Sequence, residues 1–403
     1  MPVASSEGTD ERYLVISADC HGGGSIDAYV EYLDPGFRQE FADWRGAYTN
    51  PFRDLQGDSR TRNWDSDRRF SDLETDGQVA EVVFPNTVPP FFPTGMLVAR
   101  PPGPEDLARR WAGLRAHNRW LADWCAEHPT RRAGVAQVFL NDVDQAVEEA
   151  IWSHEHGLRG GILIPAVPDD TDIVPLYSHV YDPLWRACEE RGIIVNHHAG
   201  SGHPDYGTFP SSQFMWAIET EWFAHRPFWQ ILMSGTFDRF PELKFVLTEQ
   251  GCSWIPQTLQ KLDGMHFAAS TGRMGELKMD PDTMLKNRPS EYFSRNIWVG
   301  VSFPGVREAK AMEKLGLDRV MWGSDYPHHE GSSPFSRELM RRAFSDWTPE
   351  ALDQIFYRTC ADLYGFDPAA LVSLAAKVGP TVDELKVPLE GVPSGATSPG
   401  FYM

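Results

Sequence analysis

The sequence predicts an α/β protein folded as a (β/α)8 TIM barrel, with a long first βα loop and a C-terminal extension. Three observations lead there. Short runs rich in Val and Ile recur down the chain, each followed by a helical pattern; the runs number eight; and residues suited to acid/base or metal chemistry stand where several of them end. Near-continuous apolar strands that alternate with helices indicate a parallel sheet covered on both faces. Eight such units favour a closed barrel over an open doubly wound sheet. The open fold ordinarily carries a Gly-rich phosphate loop after its first strand. Here the first run leads into Asp19-Cys20-His21-Gly22-Gly23-Gly24, without GxGxxG spacing.

The runs read as strands are 13–18, 79–84, 134–139, 161–165, 193–196, 244–248, 297–301 and 320–322. Helical patterns occupy 106–127, 142–156 and 184–191, and a terminal helix falls near 349–364. Residues 25–73 are polar and aromatic without sustained periodicity, and read as a long first loop covering the active face. Residues 1–376 read as one catalytic domain. Residues 377–403, rich in Pro, Gly and Ser, read as a tail: a disordered end in preference to an arm wrapped on a neighbouring subunit.

Among 403 residues, 57 acidic side chains against 37 basic ones give a net charge of −20. That balance argues against nucleic acid or an anionic membrane as partner, because both attract basic patches. An anionic small-molecule substrate would need a local cation, a part that a bound metal fills. The five cysteines, Cys20, Cys125, Cys188, Cys252 and Cys360, are too irregularly spaced for a disulfide framework or a zinc ribbon. Free thiols point to a reducing compartment. The N-terminal MPVASSEGTDERYLVISADC lacks the regions of a signal peptide, and no apolar stretch approaches the ~20 residues that span a bilayer. A cytoplasmic enzyme is expected, with room for a homodimer.

Catalytic groups of such barrels sit at the C-terminal ends of strands, which share one face. The first run ends in Asp19 and His21, and the fifth in Asn196-His197-His198-Ala199-Gly200. The sixth ends in Thr248-Glu249-Gln250-Gly251, and the eighth in Gly323-Ser324-Asp325-Tyr326-Pro327-His328-His329-Glu330. Asp19 and His21 are two apart and so point to one side of a strand. Alone they read as a hydrogen-bonded buried pair at least as readily as ligands. Joined by His198 and Asp325 from other strand ends, the metal reading leads. Two imidazoles and two carboxylates suit zinc or manganese, with room for water or substrate.

The Asp-x-His, the His-Ala-Gly after the fifth run and the Gly-Ser-Asp-Tyr-Pro-His-His-Glu-Gly that starts at Gly323 resemble the amidohydrolase-2 branch of the metal-dependent amidohydrolase superfamily, which includes aminocarboxymuconate-semialdehyde and γ-resorcylate decarboxylases. The resemblance covers about residues 15–366. It implies one divalent metal, zinc ahead of manganese, held by Asp19, His21, His198 and Asp325. Three departures stand out. Many relatives carry HxH where Asp19 stands, strand six commonly supplies a His where Glu249 stands, and His197 and His198 are adjacent, so only one can face inward. His198 is preferred because it directly precedes Ala199-Gly200.

Asp325, Glu249 and His329 are the expected proton-transfer residues. His328, Glu330, His203, Arg226 and Asn86 are the expected substrate contacts, with Arg226 a carboxylate clamp on an aromatic helical stretch, 214–228, whose main role is packing. The expected reaction is decarboxylation or C–C cleavage of a small carboxylated, aromatic or conjugated substrate. The alternative is metal-dependent hydrolysis of an amide, ester or C–C bond, and a metal-binding scaffold without turnover is the non-enzymatic option.

Overall fold

The computed structural model describes residues 3–4, 11–51, 55–86, 89–96, 98–277, 279–280 and 284–403. Eight parallel strands follow one another in both sequence and space: β1 (Ile16–Gly22), β2 (Ala80–Pro85), β3 (Arg132–Gln137), β4 (Gly161–Leu163), β5 (Val195–His198), β6 (Phe245–Thr248), β7 (Ile297–Ser302) and β8 (Val320–Gly323). β8 returns to β1 through Asp325 N–H to the Asp19 carbonyl (2.8 Å) and His21 N–H to the Tyr326 carbonyl (2.6 Å). The expected barrel is therefore observed, and residues of the candidate site stitch its seam. Helices α1 (Ser66–Thr75), α2 (Leu107–Ala126), α3 (Val143–Glu155), α4 (Asp182–Arg191), α5 (Ser212–Met233), α6 (Ile255–Ser270), α7 (Val306–Leu315) and α8 (Ser336–Phe344) each follow one strand. Their starts carry readable signals: Asp65 caps α1 by accepting from Arg68 N–H at 3.1 Å, and Asp142 caps α3 through Gln145 N–H at 3.1 Å.

Side-chain alternation divides the core in two. Ile16, Ala18, Ala80, Val82, Ala133, Val135, Ile194, Val246 and Met321 fill the barrel's inside. Val83, Val195, Leu247, Val299, Val301 and Trp322 point out and pack under the helices. A buried ionic knot joins β2 and β3 to α1: Glu81 accepts from Arg69 (2.6 Å) and Arg132 (3.4 Å), and Arg69 Nη1 also donates to the His21 carbonyl at 2.7 Å. This fixes the end of β1 from outside the barrel.

Three expectations need correction. β1 begins at Ile16, not at residue 13, because Tyr13 N–H donates to the Pro380 carbonyl (2.9 Å) and Arg12 pairs with Thr381. The stretch 25–73 is not all loop: it holds the helix Arg38–Ala47 and the start of α1. The tail is no disordered end. It carries the helix Val382–Leu385, buries Phe401 at 1% exposure, and donates a hydrogen bond from Thr397 Oγ1 to the His329 carbonyl at 2.5 Å. Among the described residues no helix is long and apolar enough to cross a membrane, and all five cysteines are buried free thiols.

Candidate metal centre

Strand alternation alone would turn Asp19 and His21 away from the barrel interior, because Ile16 and Ala18 already face it. The β1–β2 register slips by one residue between Ser17 and Cys20. This bulge inverts the facing: Cys20 packs outward with Phe70, Leu73 and Tyr326, and Asp19 and His21 turn inward. On β5 no inversion is needed. His198 continues the inward series of Ile194 and Asn196, and His197 points out between the carbonyls of Ile164 and Ala224, at 3.1 Å each. Asp325 lies two residues past the last inward position of β8. Both Asp325 (φ 59°) and Glu249 (φ 54°) adopt left-handed backbone, which is unfavourable for side chains of this kind and collects at functional sites.

The four side chains form a chain of close contacts. His21 Nε2 lies 3.4 Å from Asp19 Oδ1 and 3.2 Å from Asp325 Oδ1, and His198 Nε2 lies 3.5 Å from Asp19 Oδ1. Asp19 Oδ1, His21 Nε2, His198 Nε2 and both Asp325 oxygens are buried without a hydrogen-bond partner. Buried polar atoms left so are uncommon and costly. Ligand atoms about 2.1 Å from one ion at the tetrahedral angle stand about 3.4 Å apart, close to the spacing seen. Asp19, His21 and His198 form one possible ligand group and His21, Asp325 and His328 another, the two sharing His21, so the donors present could hold a divalent cation. The supports fit as well. Ser302 Oγ donates to Asp19 Oδ2, the Pro85 carbonyl lies 3.5 Å from His21 Nδ1, and the Ala199 carbonyl 3.2 Å from His198 Nδ1. Such partners aim the opposite ring nitrogens at the centre.

Charge inside this cluster is strongly interdependent. Burial would raise the Asp19 carboxyl, but the His198 and His21 imidazoles beside it outweigh it and hold the group far below its ordinary value. Asp325 is lowered in the same sense, against burial, by His328 and His21. Burial would lower His198, yet Glu249 and Asp19 lift it to about 9. Glu249 is pushed up to about 8, first by burial and then by Asp325. A cation among these groups pulls every one of them towards its deprotonated form.

An amidohydrolase family model matches residues 58–366. The chain belongs to the amidohydrolase family. Two curated relatives are similar to it: the γ-resorcylate decarboxylase of Polaromonas sp., 26% identical over 55% of this chain and 68% of that protein, and the γ-resorcylate decarboxylase of Rhodococcus jostii, 28% identical over 55% and 66%. Among solved structures, a 5-carboxyvanillate decarboxylase of Novosphingobium aromaticivorans, holding manganese and 3-methoxy-4-hydroxy-5-nitrobenzoic acid, shares the fold with a TM-score of 0.63 at 23% identity, covering 88% of this chain and 97% of that one.

In this amidohydrolase His21 and His198 line a cleft of about 710 Å³, whose walls also include Phe84, Phe92, Phe139, Leu163 and Trp216. Glu249 lines it, with Oε2 3.4 Å from His198 Nδ1. His328 lines it too. Its Nδ1 is 2.8 Å from Asp325 Oδ1, and its ring stacks on His21 at 3.9 Å between centroids. His329 and Glu330 stand at the exposed rim; Glu330 groups with Glu249, Asp325 and His328, whereas His329 joins no ligand group among the described residues.

The other expected contacts sit differently. His203 lines the cleft, but Nδ1 meets the Pro204 carbonyl at 3.0 Å and Nε2 accepts from Trp216 Nε1 at 3.2 Å, so both nitrogens are committed. Asn86 lies behind β1, donating to Asn63 Oδ1 at 2.6 Å, and is not on the cleft wall. Arg226 is not there either: it makes a two-bonded pair with Asp169, at 2.9 and 2.6 Å. The arginines that do line the cleft are Arg100, paired with Asp170 at 2.6 Å, and Arg110, in α2. Nothing in the helical pattern of 106–127 separated it from its neighbours Arg109 and Arg115. Ser302 also escaped sequence reading, because one hydroxyl ending an apolar strand carries no signal of its own.

Proposed function

We propose that this amidohydrolase is a divalent-metal-dependent decarboxylase of a small aromatic carboxylate. The observation that carries the reading is the set of five buried, unpartnered ligand atoms of Asp19, His21, His198 and Asp325, beside an aromatic-walled cleft that His21 and His198 line. The relatives named for γ-resorcylate, and the structural neighbour holding manganese with a nitrobenzoic acid, support that substrate class. They also make manganese the first ion to test, ahead of the zinc expected from sequence.

A divalent ion bound there supplies Lewis-acid polarisation of a substrate oxygen. The chain's own residues do the rest. Phe84, Phe92 and Phe139 hold an aromatic ring and exclude water from it. Loss of CO2 breaks a carbon–carbon bond whose electron pair must be taken up by a proton at the ring carbon. Asp325 is fully buried and tied to His21 and His328, which suits it to hold charge in place. Glu249, with a fifth of its side chain exposed, faces the cleft, and we assign it the proton transfer. His328, 2.8 Å from Asp325, orients that carboxylate.

The test loads the full chain with manganese or zinc, supplies 2,6-dihydroxybenzoate and 5-carboxyvanillate separately, and measures CO2 release against incorporation of labelled water oxygen. CO2 release that requires metal is expected, with Asp325→Asn losing both metal and turnover. Glu249→Gln should keep metal and lose turnover by 100-fold or more, a typical size for general acid–base catalysis. Labelled oxygen in the product without CO2 would establish hydrolysis instead.

A further inference from the structure

Arg110 is 7% exposed, yet its guanidinium opens onto the cleft. It lies against the rings of Phe139 and Phe92, at 5.5 and 6.0 Å. Other buried or half-buried arginines have a carboxylate: Arg69 and Arg132 share Glu81, Arg100 pairs with Asp170 at 2.6 Å, and Arg226 pairs with Asp169. Among the described residues Arg110 has no hydrogen bond or ion pair from its side chain. The charged groups acting on it are Asp106 and Arg109, and Asp106 is already bonded to Arg109. Burial pushes Arg110 down to about 10, so it remains a cation at neutral pH. A buried charge without a partner is a cost to the fold that an incoming anion removes.

The same wall offers a second donor. Gln137 Nε2, at the end of β3, is buried without a hydrogen-bond partner and lines the cleft two residues before Phe139. A guanidinium and an amide N–H facing one cleft are both donors suited to a carboxylate. The floor of the cleft already supplies a place for the carboxylate that reacts. Arg110 stands outside that cluster, on α2, and the chain's net charge of −20 makes such a local cation necessary for any polyanionic ligand.

We propose that Arg110, assisted by Gln137, anchors a second carboxylate of the substrate, so that the cleft is built for aromatic dicarboxylates. This rests on the reading of the cleft as an aromatic-acid site. The experiment uses the manganese-loaded full chain and titrates benzoate, isophthalate and terephthalate by calorimetry. At least one dicarboxylate should bind 10-fold or more tightly than benzoate. Arg110→Gln should bring it to the benzoate level and leave benzoate itself unchanged. Because the substitution removes an unpaired buried charge, ligand-free Arg110→Gln should melt at or above the wild-type temperature. Arg110→Lys, which keeps charge but not the fork, should lose part of the preference.

Equal weakening of benzoate and dicarboxylates in Arg110→Gln, wild-type dicarboxylates no tighter than benzoate, or a lowered melting temperature would each overturn the proposal. Failure of the reaction reading looks different. In that case no aromatic acid loses CO2, while the Arg110-dependent preference for dicarboxylates persists.

Discussion

Gly323 ends β8 directly beside Asp19, and a methyl group there tests how tightly the centre is built. A Cβ on Gly323 would lie 2.7 Å from Asp19 Cβ and 3.2 Å from Asp19 N. Carbon atoms settle near 3.5 Å, so the two must part by about 0.8 Å. Asp19 cannot simply slide away, because its carbonyl accepts from Asp325 N–H at 2.8 Å and its Oδ2 from Ser302. Overpacking of this kind costs about 1–3 kcal/mol. Metal sites tolerate ligand displacements of only about 0.2 Å. If Asp19 takes even half the movement, Oδ1 leaves its place between His21 and His198. We expect Gly323→Ala to weaken manganese binding by about 10–100-fold, the range seen when groups that orient ligands are lost. Elemental analysis after equilibrium dialysis measures the affinity, and thermal denaturation with and without manganese measures the strain. Gly264→Ala is the control: it lies in α6 with nothing within 4 Å of its added Cβ, and should keep full affinity while gaining up to about 1 kcal/mol from helix propensity. Wild-type metal affinity in Gly323→Ala would refute the packing argument.

Ser302→Ala removes the donor to Asp19 Oδ2; we expect about 1–3 kcal/mol lost in urea unfolding and weaker metal retention, and unchanged retention would show that Ser302 does not orient Asp19. The buried His117 imidazole is pushed down to about 4 by burial, against about 6.5 when unfolded. A folded value below the unfolded one means that its contribution is complete above about pH 6.5 and is lost as pH falls towards 4. Between pH 7 and 4.5 this residue should withdraw about 2–3 kcal/mol. Urea unfolding of His117→Gln should show a flatter pH dependence by that amount, and an unchanged slope would remove His117 from the account. Thr397→Val should free the His329 backbone and raise amide exchange in the loop 326–332; protection equal to wild type would mean that the tail does not hold the rim.

Much of the barrel and its centre was legible in the chain. Polar residues that interrupt Val- and Ile-rich runs must either be satisfied inside or gather at a shared face, and Asp19, His21, His198, Glu249 and Asp325 all break such runs at their ends. The preference for His198 over His197 also agrees with strand alternation, since His198 continues the inward series from Ile194. Other features could not be read that way, because they depend on contacts between residues far apart in sequence. The slip between Ser17 and Cys20 exists only relative to β2, and without it Asp19 and His21 would face the helices. The tail packs because Phe401 and Thr397 find partners on distant loops, which composition does not record.

The clearest division lies between two arginines. Sequence singled out Arg226 for its aromatic surroundings, and the fold gives it Asp169; sequence passed over Arg110, and the fold places it on the cleft with no carboxylate. Chemical type is written in each residue and its immediate neighbours, so candidate ligands could be read from the chain. Whether a charge is paired depends on which distant group the closed barrel brings to it, so only the tertiary structure decided which cation remained for a substrate.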